Sequence, residues 1–467
     1  WLIALSFNDG GSVRGTNDLY WIAGGHNTGD TVTLQVSLNG GSTWSNIATG
    51  VDALAGFYPN WDTSVYPATL QAVWRVISDT EPSVMDDSDE LFKLANGALA
   101  YYINDSSVAG DVYTTSAGNS IFDGLDPSTP LPSIGALLSR YELEAGDRVY
   151  IDTGNYVLES TLLLDSNLRG SGTNFIYFTG STNLQAGGSV LNGQGRVHAV
   201  EFRETYGVAL QNVRVLNATR PVRVGDSTNC ILEGVIALGR PGVPESIPIA
   251  CIEVEDSVGI VFNRCVVMGL TNSVSAGGLS VAESTGVQWL GGISWSNAVG
   301  LFARGNSSLI MSNSVIVASG PKSKGVVLDQ SSTLVSDYNN YRMIDGALAI
   351  QTRRLLFGTV SQPLSFETLQ AWQSHSGNDQ YSLSHDPGFY SPATYDFHLL
   401  STAGRFVSSI GFTQDTAYSE MIDVGDPAAA FAEEPLPNGS RINLGGFGGT
   451  TEASLTPTGG TLTTISF

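Results

Sequence analysis

Two glutamates, Glu253 and Glu255, stand two residues apart in the alternating segment ACIEVE at 250–255. Alternate side chains of a β-strand point to the same face, so both carboxyl groups are expected on one side of that strand. A pair of carboxyl groups about 5–10 Å apart is the arrangement that hydrolyses glycosidic bonds. The same alternation is also typical of an ordinary strand whose acidic residues face solvent. The sequence favours this interpretation, a solvent-facing pair, over a catalytic pair.

Residues suited to an eliminating enzyme, a lyase, are scarce. Such chemistry needs a Lys or Arg base, usually with acids that hold Ca²⁺. The candidate bases are Lys322 and Lys324 in GPKSKG, Arg264 and Arg304. GPKSKG is typical of a turn in which lysine is solvated. The five histidines, His26, His198, His375, His385 and His398, are dispersed and fit neither a Ser/His/Asp triad nor metal-ligand spacing. No catalytic residue is therefore assigned.

One acidic run could hold a cation. It lies in EPSVMDDSDE at 81–90 and contains Asp86, Asp87, Asp89 and Glu90. Oxygen-rich clusters suit Ca²⁺, but the spacing of a calcium loop, with its glycine, is missing. A solvated acidic connector is the favoured interpretation. Calcium is the one cofactor that this run could bind, and no cofactor is assigned.

Composition limits the classes of partner. The chain has 467 residues, 54 of them glycine, with 14% charged residues and a formal net charge of -23. Nucleic acids need clustered Lys and Arg, so they are not expected as partners. No segment is apolar enough to insert into a membrane. The three cysteines, Cys230, Cys251 and Cys265, show no zinc-binding or disulfide spacing.

Six similar stretches lie between residues 199 and 343, and each holds short apolar strands separated by polar turns. Aligned, they give two columns of apolar residues whose successive offsets are identical: 22, 30, 27, 22 and 25. The first column is Phe202, Val224, Val254, Val281, Ala303 and Leu328. The second is Val208, Cys230, Ile260, Val287, Leu309 and Leu334. Insertions that shift both columns together predict stacked coils of a parallel β-helix, with both columns in its core.

Trp289 is in line with a third apolar series, which consists of Leu210, Leu232, Phe262 and Met311. The tryptophan is therefore expected in the core of the coils and not on a sugar-binding surface.

Residues 1–80 are predicted to form a small β-sandwich. Turn signals separate the strands expected at 2–7, 19–23, 32–38, 44–47 and 72–77. The phrase VTLQVSLNGGSTWSNIATGV resembles immunoglobulin-like and fibronectin-type-III modules of bacterial surface and secreted proteins. That resemblance implies that Trp44, Trp61 and Trp74 are core aromatics.

Residues 111–454 resemble right-handed parallel β-helix proteins of large bacterial secreted and surface proteins. The resemblance rests on the cap phrase around Asp123-Gly124, Gly146-Asp147 and Gly154-Asn155-Tyr156, and on the closing segments at 385–405 and 421–454. Ser133 is expected to N-cap a short helix that covers the first coil. The resemblance implies an all-β fold and a location outside the cell or at its surface.

The last seven residues, TLTTISF at 461–467, align with the first seven, WLIALSF. We therefore predict a sandwich at 1–80, a connector at 81–110, a capped β-helix at 111–454, and at 455–467 a linker with the start of a following repeat or a donated strand. Terminal strands that join neighbouring copies would assemble head to tail. The residues assigned to this assembly are Trp1, Leu2, Leu5, Phe7, Leu462, Ile465 and Phe467.

The function expected from the sequence is a non-catalytic structural or adhesive module that associates with itself or a neighbouring repeat. Two alternatives remain: a polysaccharide lyase or other polysaccharide-active enzyme, and a carbohydrate-binding module. The set of sequence phrases typical of pectin-degrading hydrolases is absent, because neither Asn-Thr-Asp nor Gly-His-Gly occurs and the one Asp-Asp pair, Asp86-Asp87, lies outside the repeats. No turnover of polyuronates such as pectate or alginate is therefore expected.

Overall fold

The structure is a computed structural model that describes residues 1–240, 249–270, 277–353, 355–356, 359–360 and 363–457. The chain divides into two compact units, one formed by 1–99 with 141–147 and the other by 100–140 with 148–467. Small sheets make up the first unit and extensive parallel sheets the second. The predicted all-β class, a sandwich followed by a parallel β-helix, is confirmed.

The first unit is a sandwich of two sheets around one apolar core. One sheet contains Leu2–Ala4, Thr16–Ala23 and Phe57–Asp62. The other contains Ser12–Val13, Phe92–Leu94, Thr69–Ser78, Thr31–Ser37, Ser45–Asp52 and Met85–Asp87. Short 3₁₀ turns span Ala53–Ala55 and Thr63–Val65. Trp21 and Trp61 from the first sheet pack in the same core as Trp74 from the second, as alternating strands require.

Two features of this unit differ from the sequence interpretation. Trp44 is only partly buried, because it precedes Ser45–Asp52 at the edge of its sheet and stacks under the guanidinium of Arg75, 3.9 Å from the ring centroid. The acidic segment expected to be a connector contains Met85–Asp87 and Phe92–Leu94, and both strands pair with Thr69–Ser78.

The second unit is a parallel β-helix in which each coil contributes strands to three sheets, here called A, B and C in chain order. Sheet A contains Leu162–Leu164, the ends of Ser189–Arg203 and Val213–Gly225, then Ala250–Glu255, Gly277–Ala282, Val299–Arg304, Lys324–Asp329 and Leu348–Arg353. Sheet B contains Ala100–Ile103, Arg148–Ile151, Ile176–Gly180, Val208–Gln211, Ile231–Glu233, Val261–Asn263, Val287–Leu290, Ser308–Ser312 and Thr333–Asp337. Sheet C contains Gly154–Val157, the starts of the two long strands, then Ile236–Gly239, Val266–Met268, Ile293–Trp295, Val315–Ser319 and Asn340–Ile344.

The predicted apolar columns are confirmed as inward ladders. Members of the first column are direct register partners from Phe202 through to Leu328. Members of the second column are all buried. Trp289 is fully buried between its register partners Phe262 and Met311, which confirms its place in the core.

A ladder of hydroxyl groups reinforces the turn between sheets A and B. The backbone N–H of Thr205 donates to Ser227 Oγ (3.2 Å), and that of Ser227 donates to Ser257 Oγ (3.1 Å). The same link continues from Ser257 to Ser284 (3.0 Å) and from Ser284 to Ser307 (3.2 Å). Each buried hydroxyl thus satisfies an amide that the strand ladders leave unpaired.

The coils are covered by helices and a long closing segment. Helix Ile134–Leu138 begins as predicted, with Ser133 Oγ accepting from Ala136 N–H, and helix Leu369–Ser376 lies near the last coil. Beyond sheet A's last strand, the chain forms the short strands Leu355–Leu356, Thr359–Val360, Leu364–Phe366, Phe389–Ser391, Asp396–Leu399, Arg405–Val407 and Gly411–Thr413, with a 3₁₀ turn at Pro392–Thr394. A further 3₁₀ turn, Leu184–Ala186, lies earlier, between Ile176–Gly180 and Ser189–Arg203. The closing segment packs Phe397 and Met421 against Ile293 and Val315, so it lies along the outer side of sheet C. In the part of the chain that the structure describes, no helix has the length and apolar character needed to cross a bilayer.

Candidate functional site

The outer face of sheet A carries a cluster of charged side chains on adjacent strands. Glu201, Arg223 and Glu253 are successive register partners one residue away from the first inward ladder, so their side chains point outward. Glu255 lies two residues further along the strand of Glu253, on the same face. The fold therefore brings together three carboxyl groups with the guanidinium group between them.

Arg223 links two of these carboxylates. Its Nη1 donates to Glu201 Oε1 (2.9 Å), and its Nη2 donates to Glu255 Oε2 (3.1 Å). Arg203 donates to the second oxygen of Glu201 (2.8 Å). Arg220 Nη1 donates to Glu253 Oε2 (3.2 Å). Opposite charges thus alternate across the face, from Arg203 and Glu201 to Arg223 and Glu255.

Gly225 makes room for this arrangement. It sits in register between Arg203 and Glu255 and carries no side chain. A Cβ atom there would lie 2.4 Å from Nη1 of Arg223, which is closer than real contacts allow. The guanidinium of Arg223 consequently occupies the space above this glycine, between two carboxylates.

Glu253 differs from its neighbours in its protonation. The residue is only 8% exposed. Burial raises the pKa of its carboxyl group to about 7, because the charged form loses hydration and Glu255 is a nearby like charge, although Arg220 and Arg223 act in the opposite direction. Near neutral pH this carboxyl group can therefore either donate or accept a proton.

His198 borders the same carboxyl group. Its Nε2 lies 3.9 Å from Glu253 Oε2 and is a buried nitrogen without a hydrogen-bond partner. Burial lowers the pKa of the imidazole, and the charges of Arg220 and Arg223 lower it further against the opposing effect of Glu201 and Glu255. The ring is therefore neutral at neutral pH.

The sequence interpretation of Glu253 and Glu255 as a solvent-facing pair is wrong for Glu253, because neighbouring strands and arginines bury its side chain. Glu255 remains partly exposed. Glu201, Arg203, Arg220 and Arg223 were not identified from the sequence. The sequence nevertheless contains a pattern that indicates the cluster, because Glu201, Arg223 and Glu253 follow the same 22- and 30-residue offsets as the inward columns.

The candidate lyase bases do not converge. Lys324 Nζ donates to the carbonyl of Lys322 (2.9 Å). Arg264 Nη2 lies 2.5 Å from Glu233 Oε1 on the outer side of sheet B, as part of another ion pair. Arg304 alone lies at the charged face of sheet A, with Nη2 at 3.9 Å from Glu255 Oε1.

The acidic run at 86–90 has separate partners within the sandwich. Asp86 Oδ2 accepts from Ala4 N–H (2.8 Å), and Asp87 is the register partner of Arg75. Burial raises the pKa of Asp87, and Arg75 partly offsets this. Among the described residues, no three His, Cys, Asp or Glu side chains are grouped so that they could hold a metal ion.

A second titratable cluster centres on His398 in strand Asp396–Leu399. Its Nδ1 lies 2.7 Å from Asp396 Oδ1, its Nε2 lies 3.6 Å from Glu452 Oε2, and its ring stacks on Phe447 with centroids 3.5 Å apart. Burial by itself lowers the pKa of His398, but the interactions with Asp396 and Glu452 together raise it above its ordinary value. The cluster therefore links Glu452, near the end of the closing segment, to strand Asp396–Leu399.

The His398 cluster should make stability depend on pH. Because the pKa of His398 is raised in the folded state, its stabilisation is fully present below about pH 6.5 and is lost as pH rises through the folded pKa. Urea unfolding at about pH 5 and about pH 8 should therefore show a larger loss of stability for His398→Gln at the lower pH. The exposed His385, which pairs with Glu420, provides the control variant His385→Gln, whose effect should be small at both values. An equal cost of His398→Gln at both values would contradict the assignment.

Comparisons with known proteins give no family. No protein-family model matches the sequence, and no curated protein matches it. One solved structure found by comparison of folds is the GH136 lacto-N-biosidase from Eubacterium ramulus, as its selenomethionine derivative. The identity is 12%, with a TM-score of 0.23, over 56% of this chain and 68% of that one. A likeness at this level carries no argument about chemistry.

Proposed function

We propose that this chain is a structural module of a bacterial extracellular or cell-surface assembly, in which copies or repeats contact one another head to tail through the sandwich. The observation that carries the proposal is an exposed apolar face on the three-stranded sheet. Six large apolar side chains on this face, called the sandwich face below, are between 42% and 61% exposed: Trp1, Ile3, Leu5, Tyr20, Ile22 and Phe57.

The sandwich face is continuous across strands. Ile3 is the register partner of Ile22, and Tyr20 is the register partner of Phe57, with which it stacks at 6.3 Å between ring centroids. Contiguous apolar patches of this kind on soluble proteins mark interaction sites, whereas single exposed apolar residues do not. The sandwich face therefore favours a partner with an apolar surface of its own.

The edge of strand Leu2–Ala4 is less suited to an added strand. The outward N–H of Ala4 donates to Asp86 (2.8 Å), and its carbonyl accepts from Asn8 Nδ2 (3.0 Å). Side chains that occupy these groups hinder pairing with another strand. We accordingly assign the contact to the face that contains Trp1 and Leu5. Leu2 lies in the core, while Leu462, Ile465 and Phe467 lie outside the described residues.

A second copy is the partner that the charge pattern favours. The net charge of -23 makes association between acidic surfaces unfavourable, so copies need an uncharged contact such as the sandwich face. The alignment of 461–467 with 1–7 supports a repeating order of modules. The extracellular location is supported by the sequence resemblance alone.

Self-association provides the test. Analytical ultracentrifugation should show the mass of the full chain rising with concentration, and electron microscopy should show linear assemblies. The double variant Ile3→Thr/Ile22→Thr keeps β-branched residues in the strands and should remain monomeric. The control Val335→Thr changes an exposed residue in the second unit and should behave like the original chain. Truncation after Pro457 removes residues 458–467 and tests separately whether this terminal segment contributes to self-association. A chain that stays monomeric at every accessible concentration would refute the proposal.

A further inference from the structure

Lys93 makes a buried contact with Asp147 in the first unit. Strand Phe92–Leu94 places Phe92 and Leu94 in the sandwich core, so the side chain of Lys93 between them points to the other side of the sheet. There Nζ lies 2.8 Å from Asp147 Oδ2. Lys93 is 4% exposed and Asp147 is 1% exposed. The structure describes all three lysines of the chain, and this one alone is buried.

The segment 141–147 covers this contact. Lys93 Nζ also donates to the carbonyl of Glu142 (3.2 Å). Ser12, the register partner of Lys93, contacts the carboxylate of Glu144. All of these residues belong to the first unit. The amino group and the carboxyl group are therefore shielded from solvent and held in one arrangement.

Both oxygens of Asp147 accept hydrogen bonds from backbone N–H groups. Oδ1 accepts from Leu99 N–H (2.9 Å). Oδ2 accepts from Glu144 N–H (3.0 Å) and from Lys93. A backbone N–H directed at a carboxyl oxygen stabilises the negative charge that develops there when a nucleophile adds to the carboxyl carbon. Oδ1 has the surroundings for that addition, while Oδ2 is placed to receive protons from Lys93.

Burial of this pair favours an uncharged product. Removing an ammonium and a carboxylate from water carries a large desolvation cost, which their mutual attraction offsets only in part. An amide formed from the same two groups has no charge to desolvate. Groups held in contact also react as if they were at very high concentration, because folding has already removed their translational freedom. Condensation is therefore favoured inside the folded unit, although amines and carboxylates in dilute solution do not condense.

We propose that the side chains of Lys93 and Asp147 join in an isopeptide bond once the first unit has folded. The two residues are 54 positions apart, so the bond closes a long loop of chain and attaches segment 141–147 covalently to strand Phe92–Leu94. A cross-link of this kind stabilises the folded state because it restricts the unfolded chain. The inference does not depend on self-association through the sandwich face.

The reaction needs no co-reactant and releases one water molecule. The ammonium group of Lys93 passes one proton to Asp147 Oδ2, which gives a neutral amine beside a carboxylic acid. The nitrogen lone pair bonds to Cγ of Asp147, and the π electrons of the carbonyl move to Oδ1, where Leu99 N–H stabilises them. As the carbonyl forms again, the bond between Cγ and Oδ2 breaks, and Oδ2 keeps its electrons, takes a second proton from the nitrogen and leaves as water. The remaining N–H stays directed at the carbonyl of Glu142.

Mass spectrometry of the intact, denatured chain tests the bond directly. The original chain should be lighter than its sequence by the mass of one water molecule. Protease digestion should release one branched peptide whose fragment ions place the link between the side chains of Lys93 and Asp147. Lys93→Met and Asp147→Ala should each restore the full sequence mass. The matched control Lys322→Met replaces an exposed lysine and should retain the loss of water.

The measurement on the original chain does not require either variant to fold. A full sequence mass would refute the inference, because the contact would then be an ion pair only. Loss of water from a chain whose Lys93 and Asp147 peptides separate on digestion would refute it as well, since other carboxyl groups can also lose water. The ultracentrifugation described above reports on self-association separately, so the failure of one proposal leaves the other unaffected.

Discussion

Replacing Asp379 with alanine should lower the free energy of unfolding by about 3–5 kcal/mol, because several buried donors would lose hydrogen bonds to a carboxylate, which are worth about 1.5–3 kcal/mol each. Asp379 is fully buried beside the last coil. Its carboxylate accepts five side-chain hydrogen bonds, from Ser336 Oγ (2.5 Å), Asn339 Nδ2 (3.2 Å), Tyr341 Oη (3.1 Å), Trp372 Nε1 (3.0 Å) and Ser382 Oγ (2.7 Å). Alanine would leave all five donors without this acceptor.

The size of this effect follows from where the donors lie. Ser336 and Tyr341 belong to the last strands of sheets B and C, and Trp372 belongs to helix Leu369–Ser376. One carboxylate therefore joins that helix to the end of the stacked coils. Burial and the charge of Asp379 also raise the pKa of Tyr341 well above its ordinary value, so the phenol remains a donor.

Chemical denaturation with two comparison variants measures the contribution of Asp379. Asp379→Asn keeps the shape but replaces one acceptor oxygen with a donor, so its cost should be clearly smaller than that of alanine and still substantial. Glu367→Ala removes an exposed carboxylate just before the same helix and should change stability by less than about 0.5 kcal/mol. An alanine variant as stable as the Glu367 control would show that the network does not hold the helix to the coils.

The inward ladders could be predicted because their evidence is local and repeated. Each coil supplies an apolar residue at the same place, and an insertion such as the 30-residue step from Val224 to Val254 moves every column together. A core position only has to be apolar and of suitable size, so one chain contains enough examples to establish the register.

The charged cluster could have been found by extending the same register by one residue. Glu201, Arg223 and Glu253 share the offsets of Phe202, Val224 and Val254, whereas alternation within a single strand indicates only Glu253 and Glu255. The burial of Glu253 could not be predicted in this way. It depends on the side chains of Arg220 and His198, which lie beside the Glu253 carboxyl group, and the alternation of residues along a strand does not specify their positions.

Asp379 could not be recognised in advance for another physical reason. Two of its donors, Ser336 and Tyr341, are separated from it by 43 and 38 residues, and no second coil repeats the arrangement. A buried carboxylate is acceptable only where enough donors surround it. That condition depends on the three-dimensional path of the closing segment, which leaves no periodic trace in the sequence.

Trp289→Ala should lower the free energy of unfolding by about 3–5 kcal/mol, the range for removing a large aromatic side chain from a packed core. Trp289 is fully buried, with its ring centroid 5.8 Å from that of Phe262. The neighbours of Trp289 come from the coils on both sides, so the cavity left by alanine would lie inside the stack. The strand ladders would limit how far the surrounding residues can move into that cavity. Chemical denaturation of Trp289→Phe should show a smaller loss, because phenylalanine fills more of the same space.

Gly292 allows this prediction to be tested as a coupling between two residues. A Cβ atom at Gly292 would lie 2.2 Å from Cε2 of Trp289, so Gly292→Ala must displace the ring and should cost about 1–3 kcal/mol by overpacking. Once Trp289 is alanine, the same substitution enters the cavity and should cost little. The four proteins of this double-mutant cycle should therefore be strongly non-additive, with a coupling free energy of about 1 kcal/mol or more. Additive costs would mean that the ring does not occupy the space above Gly292, and the inward position of Trp289 would then be wrong.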